Sequence, residues 1–557
     1  MYPKKELAQV VIAACSEFGI DKVVVSPGSR NAPLTIGFSN HPAIDTFSVV
    51  DERCAAFFAL GIAQQTKKPV AIVCTSGSAL LNYYPAIAES FYSKIPLVVI
   101  SADRPKHLID IGDGQTIRQE NVFHNHILDE ANLMDAVENW QSNIVATVRV
   151  LRTAIEQKGP VHINVPFDEP LYETDSQMNS TLITAVINYK DAPIKASKKE
   201  VVDWRKFAQT WNASKRKIIL IGVNYPSSEL QKILHEFVKD EDVIIMTEST
   251  SNVYHSEFFN AIDQLITPLS EAEFLNLQPE VLISLGGMVI SKRIKQFFRK
   301  YQPKHHWHID ALTKMDTYFC LSEHVALEPV YFLQKLFSLK QNNDSTYKSY
   351  WLKIRKQRQE KHKESIYASV FSDLKVFEIL LSSLPKDAAL QLGNSAVVRY
   401  TQLFSIPSSY AVFCNRGTSG IDGSTSTAIG AAVVSEQQVV FITGDISFYY
   451  DSNALWNSYV PASFRIIIVN NSGGNIFKII PGPKSTNALE YFETPHNLTA
   501  DHLAKTYGFA YESAKTSTQL MQCLGDFYKI SDKPKILEIF TPSDVNDLVL
   551  KKYFKNL

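Results

Sequence analysis

Short apolar runs alternate with helix-like stretches along the whole chain, and most runs stop at a small or polar cluster. Val23–Val25 runs into Ser-Pro-Gly-Ser-Arg (26–30), and Phe47–Val50 into Asp51-Glu52-Arg53. Val70–Cys74 runs into Thr75-Ser76-Gly77-Ser78, and Leu97–Ile100 into Ser-Ala-Asp-Arg-Pro (101–105). Short β-rich runs separated by helical patterns, such as CAAFFALGIAQ after Arg53, predict parallel strands covered on both faces. Ile218–Ile221, Val243–Met246, Val281–Leu285 and His306–Ile309 predict a second sheet. Ala389–Leu392, Ala411–Cys414, Val439–Thr443, Ile466–Val469 and Ile536–Phe540 predict a third. The pattern divides the chain into three α/β units, 1–185, 186–345 and 346–557, the last opening with a connecting helix at 346–365. No sequence repeat links the three.

In parallel α/β sheets ligands sit beyond the C-terminal strand ends. The most informative ends lie within Phe441–Phe477. Val439–Thr443 stops at Gly444-Asp445, and Ile466–Val469 at Asn470-Asn471 with Gly473-Gly474 beyond. The two ends are one β-α-β unit apart, so they can be neighbours. A carboxylate, an amide oxygen and a backbone carbonyl make a hard oxygen site that suits Mg²⁺ beside phosphate. Glycines there let backbone N–H groups approach a diphosphate. Alone, Gly-Asp would mean only a buried strand with a polar end. With Asn-Asn and Gly-Gly one unit later, the chain resembles the thiamine-diphosphate-dependent enzymes, whose signature is Gly-Asp-Gly and then Asn-Asn. Ile446 stands where the third glycine is usual. The triplet Gly112-Asp113-Gly114 ends no apolar run and has no Asn-Asn after it, so it reads as a loop.

The resemblance implies a thiamine-diphosphate-binding fold, thiamine diphosphate as cofactor, and Mg²⁺ (or Mn²⁺) on Asp445, Asn471 and Gly473. Gly444, Ile446, Ser447 and Gly474 would complete the diphosphate cradle. Ile421, with Ser419 and Gly420, would force the bent cofactor, walled by Ile476 and Phe477. Thr75, Ser76 and Gly77 would meet the aminopyrimidine. Glu52 would be the catalytic acid at N1′, although a helix N-terminus favours an acid there in any case. In this class the acid lies on the first domain and the metal motif on the third, the order seen here. The class also implies a homodimer, or a dimer of dimers, with sites between chains.

Six basic residues follow predicted strand ends: Arg30, Arg104, Lys292, Arg293, Arg399 and Arg416. The arginine fork suits carboxylates, and so many at one rim suggests several carboxylates to hold. The pieces SPGSRNAPL, DERCAAF, TSGSALLNYYPA, SADRP, GQTIRQ, ISKR, GNSAVVR, NRGTSGIDG, GDISFYYDSNAL and NNSGGNIF span nearly the whole chain. Together they resemble the branch of the family that decarboxylates 2-oxoglutarate and adds the succinyl unit to isochorismate. That likeness implies Ser395, Arg399 and Arg416 on 2-oxoglutarate. It implies Ser29, Arg30, Arg104, Gln115, Lys292 and Arg293 on isochorismate. Gly114 stands where that branch would have Asn. Two other readings share parts of the pattern: a thiamine-dependent decarboxylase or acetolactate-type synthase, and a non-catalytic homologue. The first does not need SPGSR, ISKR and NRG together. The second does not need Glu52, Asp445 and Asn471 intact.

Composition adds exclusions. A net charge of −1 gives no support for nucleic acid or membrane as partner. The run at 346–365 holds seven Lys/Arg against two Glu and reads as a solvated connecting helix. Six scattered cysteines without C-x-x-C fit a reducing cytoplasm. No apolar run is long enough to span a bilayer. Lys4-Lys5 before an apolar stretch ending at Cys15 mimics a signal, but Gln9 interrupts it, and it reads as an amphipathic first helix. His305-His306-Trp307-His308 reads as surface or packing histidines, only His306 and His308 sharing a face.

Overall fold

The computed structural model describes residues 1–192, 202–480 and 482–557. Three parallel sheets carry the chain. The first contains Lys22–Val25, Asp45–Ser48, Val70–Cys74, Leu97–Asp103, Asp129–Asn132 and Val161–Pro166. Counted in chain order, these strands lie in the spatial order 2-1-3-4-6-5. The third sheet contains Ala389–Leu392, Ala411–Cys414, Val439–Gly444, Arg465–Asn470, Ala510–Ala514 and Lys535–Phe540, again in the order 2-1-3-4-6-5. The middle sheet contains Lys217–Ile221, Val243–Thr247, Val281–Leu285, His305–Ile309 and Leu321–Val325, in the order 2-1-3-4-5. Each sheet therefore reverses direction of growth between its strands 1 and 3, and a crevice opens there beyond the strand ends.

Some expectations need correction. The strand placed at Phe47–Val50 is Asp45–Ser48. It is an edge strand, and Ser48 N–H already donates to Tyr459 Oη at 2.9 Å. Asp129–Asn132, Leu321–Val325 and Ala510–Ala514 carry no apolar run and escape a hydrophobicity reading. All three are edge strands, partly solvated, so they need none. The first helix, Glu6–Glu17, is not amphipathic. Every residue from Leu7 to Cys15 is buried, because the helix packs among Ala32–Ser39, Trp140–Gln157 and Ser180–Lys190.

The basic run forms the helix Tyr347–Tyr367, and four of its seven basic residues have partners in the chain, while Lys353, Lys356 and Lys363 are exposed. Lys348 donates to Val238 O, Arg355 to Phe258 O and Ser256 O, and Arg358 and Lys361 to Leu557 O. His306 and His308 share one partner, the Ser284 hydroxyl, at 2.8 and 3.0 Å. Burial pushes both imidazoles down to about 4. They are neutral packing groups, and among the described residues no group of three His, Cys, Asp or Glu side chains could hold a metal. All six cysteines are free thiols. No helix among the described residues is long and apolar enough to cross a membrane.

One hydrophobic core runs through both outer units. Phe57, Phe58 and Leu60 share it with Ala428, Ile429, Phe441 and Phe464. The helix Glu52–Thr66 lies directly on Ser424–Val434. Two glycines permit this approach. A Cβ on Gly61 would stand 2.0 Å from Thr427 O, and one on Gly430 2.0 Å from Phe58 O.

Candidate active site

Strand 3 of the third sheet ends at Gly444, and Asp445 opens the short helix Asp445–Tyr450. The Asp445 carboxylate is buried. Its Oδ1 accepts from Ile446 N–H at 2.8 Å and its Oδ2 from Gly473 N–H at 2.9 Å. His496 Nε2 lies 3.3 Å from the same Oδ2. The two motif halves are thus brought together. Ile446 is half-buried and uses its N–H on Asp445. Gly473 takes φ +146°, and a Cβ there would meet Glu493 O at 2.6 Å.

Asn471 carries the clearest mark of a missing partner. Its Nδ2 donates to Asp373 Oδ2 at 2.9 Å, which turns Oδ1 away. That Oδ1 is buried with no hydrogen-bond partner. Buried polar atoms are nearly always paired, so an orphan carbonyl beside a carboxylate fits a cation. Gly473 O accepts from Asn475 N–H at 2.9 Å and keeps a second lone pair. The donor set fits Mg²⁺. Asn475, absent from the sequence expectation, has a second buried orphan Oδ1, while its Nδ2 holds Asn471 O at 2.8 Å. Asp373 was also missed: nothing local distinguishes it, and only the fold carries it to Asn471.

Around this centre, Ser447 Oγ donates to Ile421 O at 2.7 Å, tying the helix Asp445–Tyr450 to the loop Asn415–Gly423. Ser419, Gly420 and Ile421 are half-buried in that loop. Gly474, Ile476 and Phe477 follow the motif, with the Phe477 ring 5.2 Å from Phe492. Ser395 caps the helix Ala396–Thr401 with φ 66°, a conformation costly for serine and typical of functional sites.

Arg399 and Arg416 neighbour each other, on the helix Ala396–Thr401 and on the loop Asn415–Gly423 that Ser447 ties to the Asp445 helix. Arg416 is buried, and its Nη1 donates to Asn394 Oδ1 at 2.7 Å. Burial pulls the Arg399 guanidinium down from its usual range, and neighbouring Arg416 pulls it further. Among the described residues, neither arginine has a carboxylate ion-pair partner. Asn394 is another residue the sequence did not single out. It sits inside GNSAVVR and also holds Asn415 O at 2.7 Å and Gly420 O at 2.6 Å.

Lys292 and Arg293 are exposed at the start of the helix Lys292–Lys300. Arg293 stacks 5.0 Å over Phe554 of the third unit. Arg293 and Arg399 both act on the half-buried Asp263 carboxyl. Lys295, one turn on and not expected, is lowered by burial, with Glu248 opposing and Arg416 assisting.

The N-terminal residues gather separately, at the strand 1–3 crevice of the first sheet. Thr75 and Ser76 are buried, and both hydroxyls lack partners. A Cβ on Gly28 would meet Thr75 at 2.2 Å, so the Ser26–Arg30 loop lies flat on them. Arg30 donates to Phe167 O at 2.8 Å and meets Glu169 at 3.2 Å, and Arg104 meets Asp113 at 3.5 Å. Ser29 and Gln115 are exposed. Gln119, unremarked in GQTIRQ, is buried. Its Oε1 accepts from Gly77 N–H at 2.9 Å, and its Nε2 donates to Asn164 Oδ1 at 2.8 Å. It fixes Gly77 to the segment bearing Gln115.

Glu52 is the first residue of its helix and half-buried. Burial raises its carboxyl above the usual range, its own N–H opposes, and Asp51 adds to the rise. Cys74 and the buried Tyr83 both feel its charge. Its sequence neighbours reach the third unit: Arg53 donates to Tyr450 O at 3.0 Å, and Asp51 accepts from Asn453 Nδ2 at 2.9 Å. The expected residues thus form two clusters, Glu52 beside Cys74 and Thr75–Gly77, and Asp445 with Asn471 and Gly473.

Comparison with known proteins also divides the chain in three, with the middle match running to residue 392. Residues 5–133 match the N-terminal TPP binding domain of thiamine pyrophosphate enzymes. Residues 189–392 match the thiamine pyrophosphate middle domain, and residues 392–539 the C-terminal TPP binding domain. The chain is 54% identical over 560 residues to the 2-succinyl-5-enolpyruvyl-6-hydroxy-3-cyclohexene-1-carboxylate synthase of Flavobacterium johnsoniae, covering 100% of both chains. The like-named protein of Flavobacterium psychrophilum is 54% identical over 561 residues, and that of Bacteroides thetaiotaomicron 35% over 571, each with 100% of both chains covered.

Proposed function

The chain belongs to the thiamine pyrophosphate enzymes, and from that premise we propose that it is a 2-succinyl-5-enolpyruvyl-6-hydroxy-3-cyclohexene-1-carboxylate synthase. It decarboxylates 2-oxoglutarate and adds the succinyl unit in a 1,4 sense to isochorismate, a step of menaquinone biosynthesis in the cytoplasm. The observation that carries the substrate assignment is Arg399 and Arg416. Two adjacent cations, Arg416 buried and Arg399 half-buried, have no carboxylate ion-pair partner among the described residues and suit an acid with carboxylates to offer.

Thiamine diphosphate, when bound, supplies the carbon nucleophile that takes up a 2-oxo acid and accepts the electrons left by departing CO₂. Asp445, Asn471 Oδ1 and the Gly473 carbonyl would hold Mg²⁺ or Mn²⁺ against the diphosphate, and Gly444, Ile446, Ser447 and Gly474 would cradle it. Ile421, Ile476 and Phe477 would wall the rings, and Thr75, Ser76 and Gly77 would line the aminopyrimidine edge. Glu52 holds a proton at N1′, a task suited to a carboxyl raised by burial. Arg399 and Arg416, with Ser395, orient the carboxylates of 2-oxoglutarate. Ser29, Arg30, Arg104, Gln115, Lys292 and Arg293 hold isochorismate. The two half-sites join between chains, so the working unit is a homodimer or a dimer of dimers.

The test is one assay with thiamine diphosphate and Mg²⁺. 2-Oxoglutarate with isochorismate should yield the carboxylate product, identified by mass. Equal CO₂ release without isochorismate, or preference for pyruvate, would replace this reading with a simple decarboxylase or an acetolactate-type synthase.

A further inference from the structure

The loop Asn415–Gly423, which carries Arg416 and Ile421, is held from two sides. Asn394 holds it from within its own unit. The other hold is Glu89, on the helix Tyr84–Ser93 of the N-terminal unit. Glu89 is 1% exposed. Its Oε1 accepts from Gly417 N–H at 2.7 Å and Ser93 Oγ at 2.7 Å. Its Oε2 accepts from Thr418 N–H at 2.6 Å and Thr418 Oγ1 at 2.9 Å. A buried carboxylate is costly unless donors surround it, and here three of the four come from the loop or its Thr418 side chain. The approach also explains the glycine after Arg416. A Cβ on Gly417 would stand 2.5 Å from Glu89 O.

We propose that Glu89 is a positioning residue for the 2-oxo acid end of the site: it clamps Gly417 and Thr418 of its own chain and so aims the adjacent Arg416. The proposal rests on the reading of Arg416 as a 2-oxoglutarate ligand. It has a consequence for the assembly. In a dimer with shared sites, each N-terminal unit serves both centres, sending Glu52 to the partner and Glu89 to its own C-terminal unit.

Glu89→Gln keeps the shape but turns an amide N–H₂ toward one of two backbone N–H groups. The loop must shift, and the KM for 2-oxoglutarate should rise about tenfold or more. The KM for isochorismate should stay within about twofold, and hydrogen exchange at C2 of bound thiamine diphosphate, the task of Glu52, should keep its wild-type rate. A merely structural role would raise both KM values and slow the exchange together, and that result, or an unchanged 2-oxoglutarate KM, overturns the proposal. Thr418→Val removes a single hydroxyl donor and should shift the same KM in the same direction by less. If Glu89→Gln fails to fold, Thr418→Val decides the question by the same criterion.

Mixed dimers separate this proposal from the shared-site reading. At 2-oxoglutarate well below the mutant KM, Glu89→Gln mixed with Glu52→Gln should recover activity, since both lesions fall in one site. Mixed with Asp445→Ala, Glu89→Gln should recover none. The reverse pattern would assign Glu89 to the partner's site and overturn the proposal. If Glu52→Gln and Asp445→Ala fail to complement each other, the shared site falls, while the KM split still judges Glu89.

Discussion

Glu52 and Asn471 show how single side chains are tuned. Glu52 sits at a helix start, where the dipole favours the anion, yet burial wins and raises its carboxyl. Glu52→Gln should still bind thiamine diphosphate but slow C2 hydrogen exchange by roughly 10²–10⁴; exchange at the wild-type rate would remove Glu52 from its role. Asn471 owes its orphan Oδ1 to Asp373, which takes the amide's N–H₂. Among the arginines, Arg293 stands on another unit from the Asp445 centre. Arg293→Ala should raise the KM for isochorismate by the equivalent of about 1.5–3 kcal/mol and leave the KM for 2-oxoglutarate nearly unchanged. A rise in both would show that the two substrates are not divided between units in this way.

Helices and strand ends carry the next level of constraint. The contact between Glu52–Thr66 and Ser424–Val434 depends on Gly61 and Gly430 having no side chain. Gly61→Ala should cost about 1–3 kcal/mol through overpacking, read as a lower urea midpoint; an unchanged midpoint would mean the helices can separate freely. Glu248 presents a pH-dependent case. It lies past the strand Val243–Thr247 and accepts Ile290 N–H at 2.7 Å and Ser291 N–H at 2.8 Å, fixing the approach to the Lys292–Arg293 helix. Burial pushes its carboxyl up to about 7, against those two bonds. Between the ordinary glutamate value and about 7 the folded state binds more protons than the unfolded state. This group therefore lowers stability as pH rises through that window. Glu248→Gln should make the fall in urea midpoint between about pH 5 and about pH 8 shallower. Equal slopes in both proteins would place Glu248 elsewhere in the titration.

For the molecule as a whole, the proposed function assigns Glu52 and Asp445 of one chain to different half-sites. Two copies with two-fold symmetry can join them. Glu52→Gln and Asp445→Ala, each inactive alone, should therefore complement. In a mixed dimer one site collects both lesions and the other none. With random pairing, half the dimers are mixed and half their sites intact, so roughly a quarter of wild-type activity should return. Activity near zero at every mixing ratio would mean that each site is built within one chain.

The sequence by itself determined the fold class, because doubly covered parallel strands demand continuous apolar runs and ligand-bearing strand ends demand polar breaks. It also set Gly444-Asp445 and Asn471 one β-α-β unit apart, and the structure joins Asp445 to Gly473. What it could not determine depends on contacts between distant segments. The edge strands Asp129–Asn132, Leu321–Val325 and Ala510–Ala514 are half-solvated and leave no apolar signature. The shared 2-1-3-4-6-5 order of the outer sheets leaves no sequence repeat, since many sequences satisfy one packing pattern. Asp373, Asn394, Gln119 and Glu89 are ordinary polar residues in their local segments. Each acquires its role only because burial removes water and leaves it one set of partners, and that choice belongs to tertiary structure.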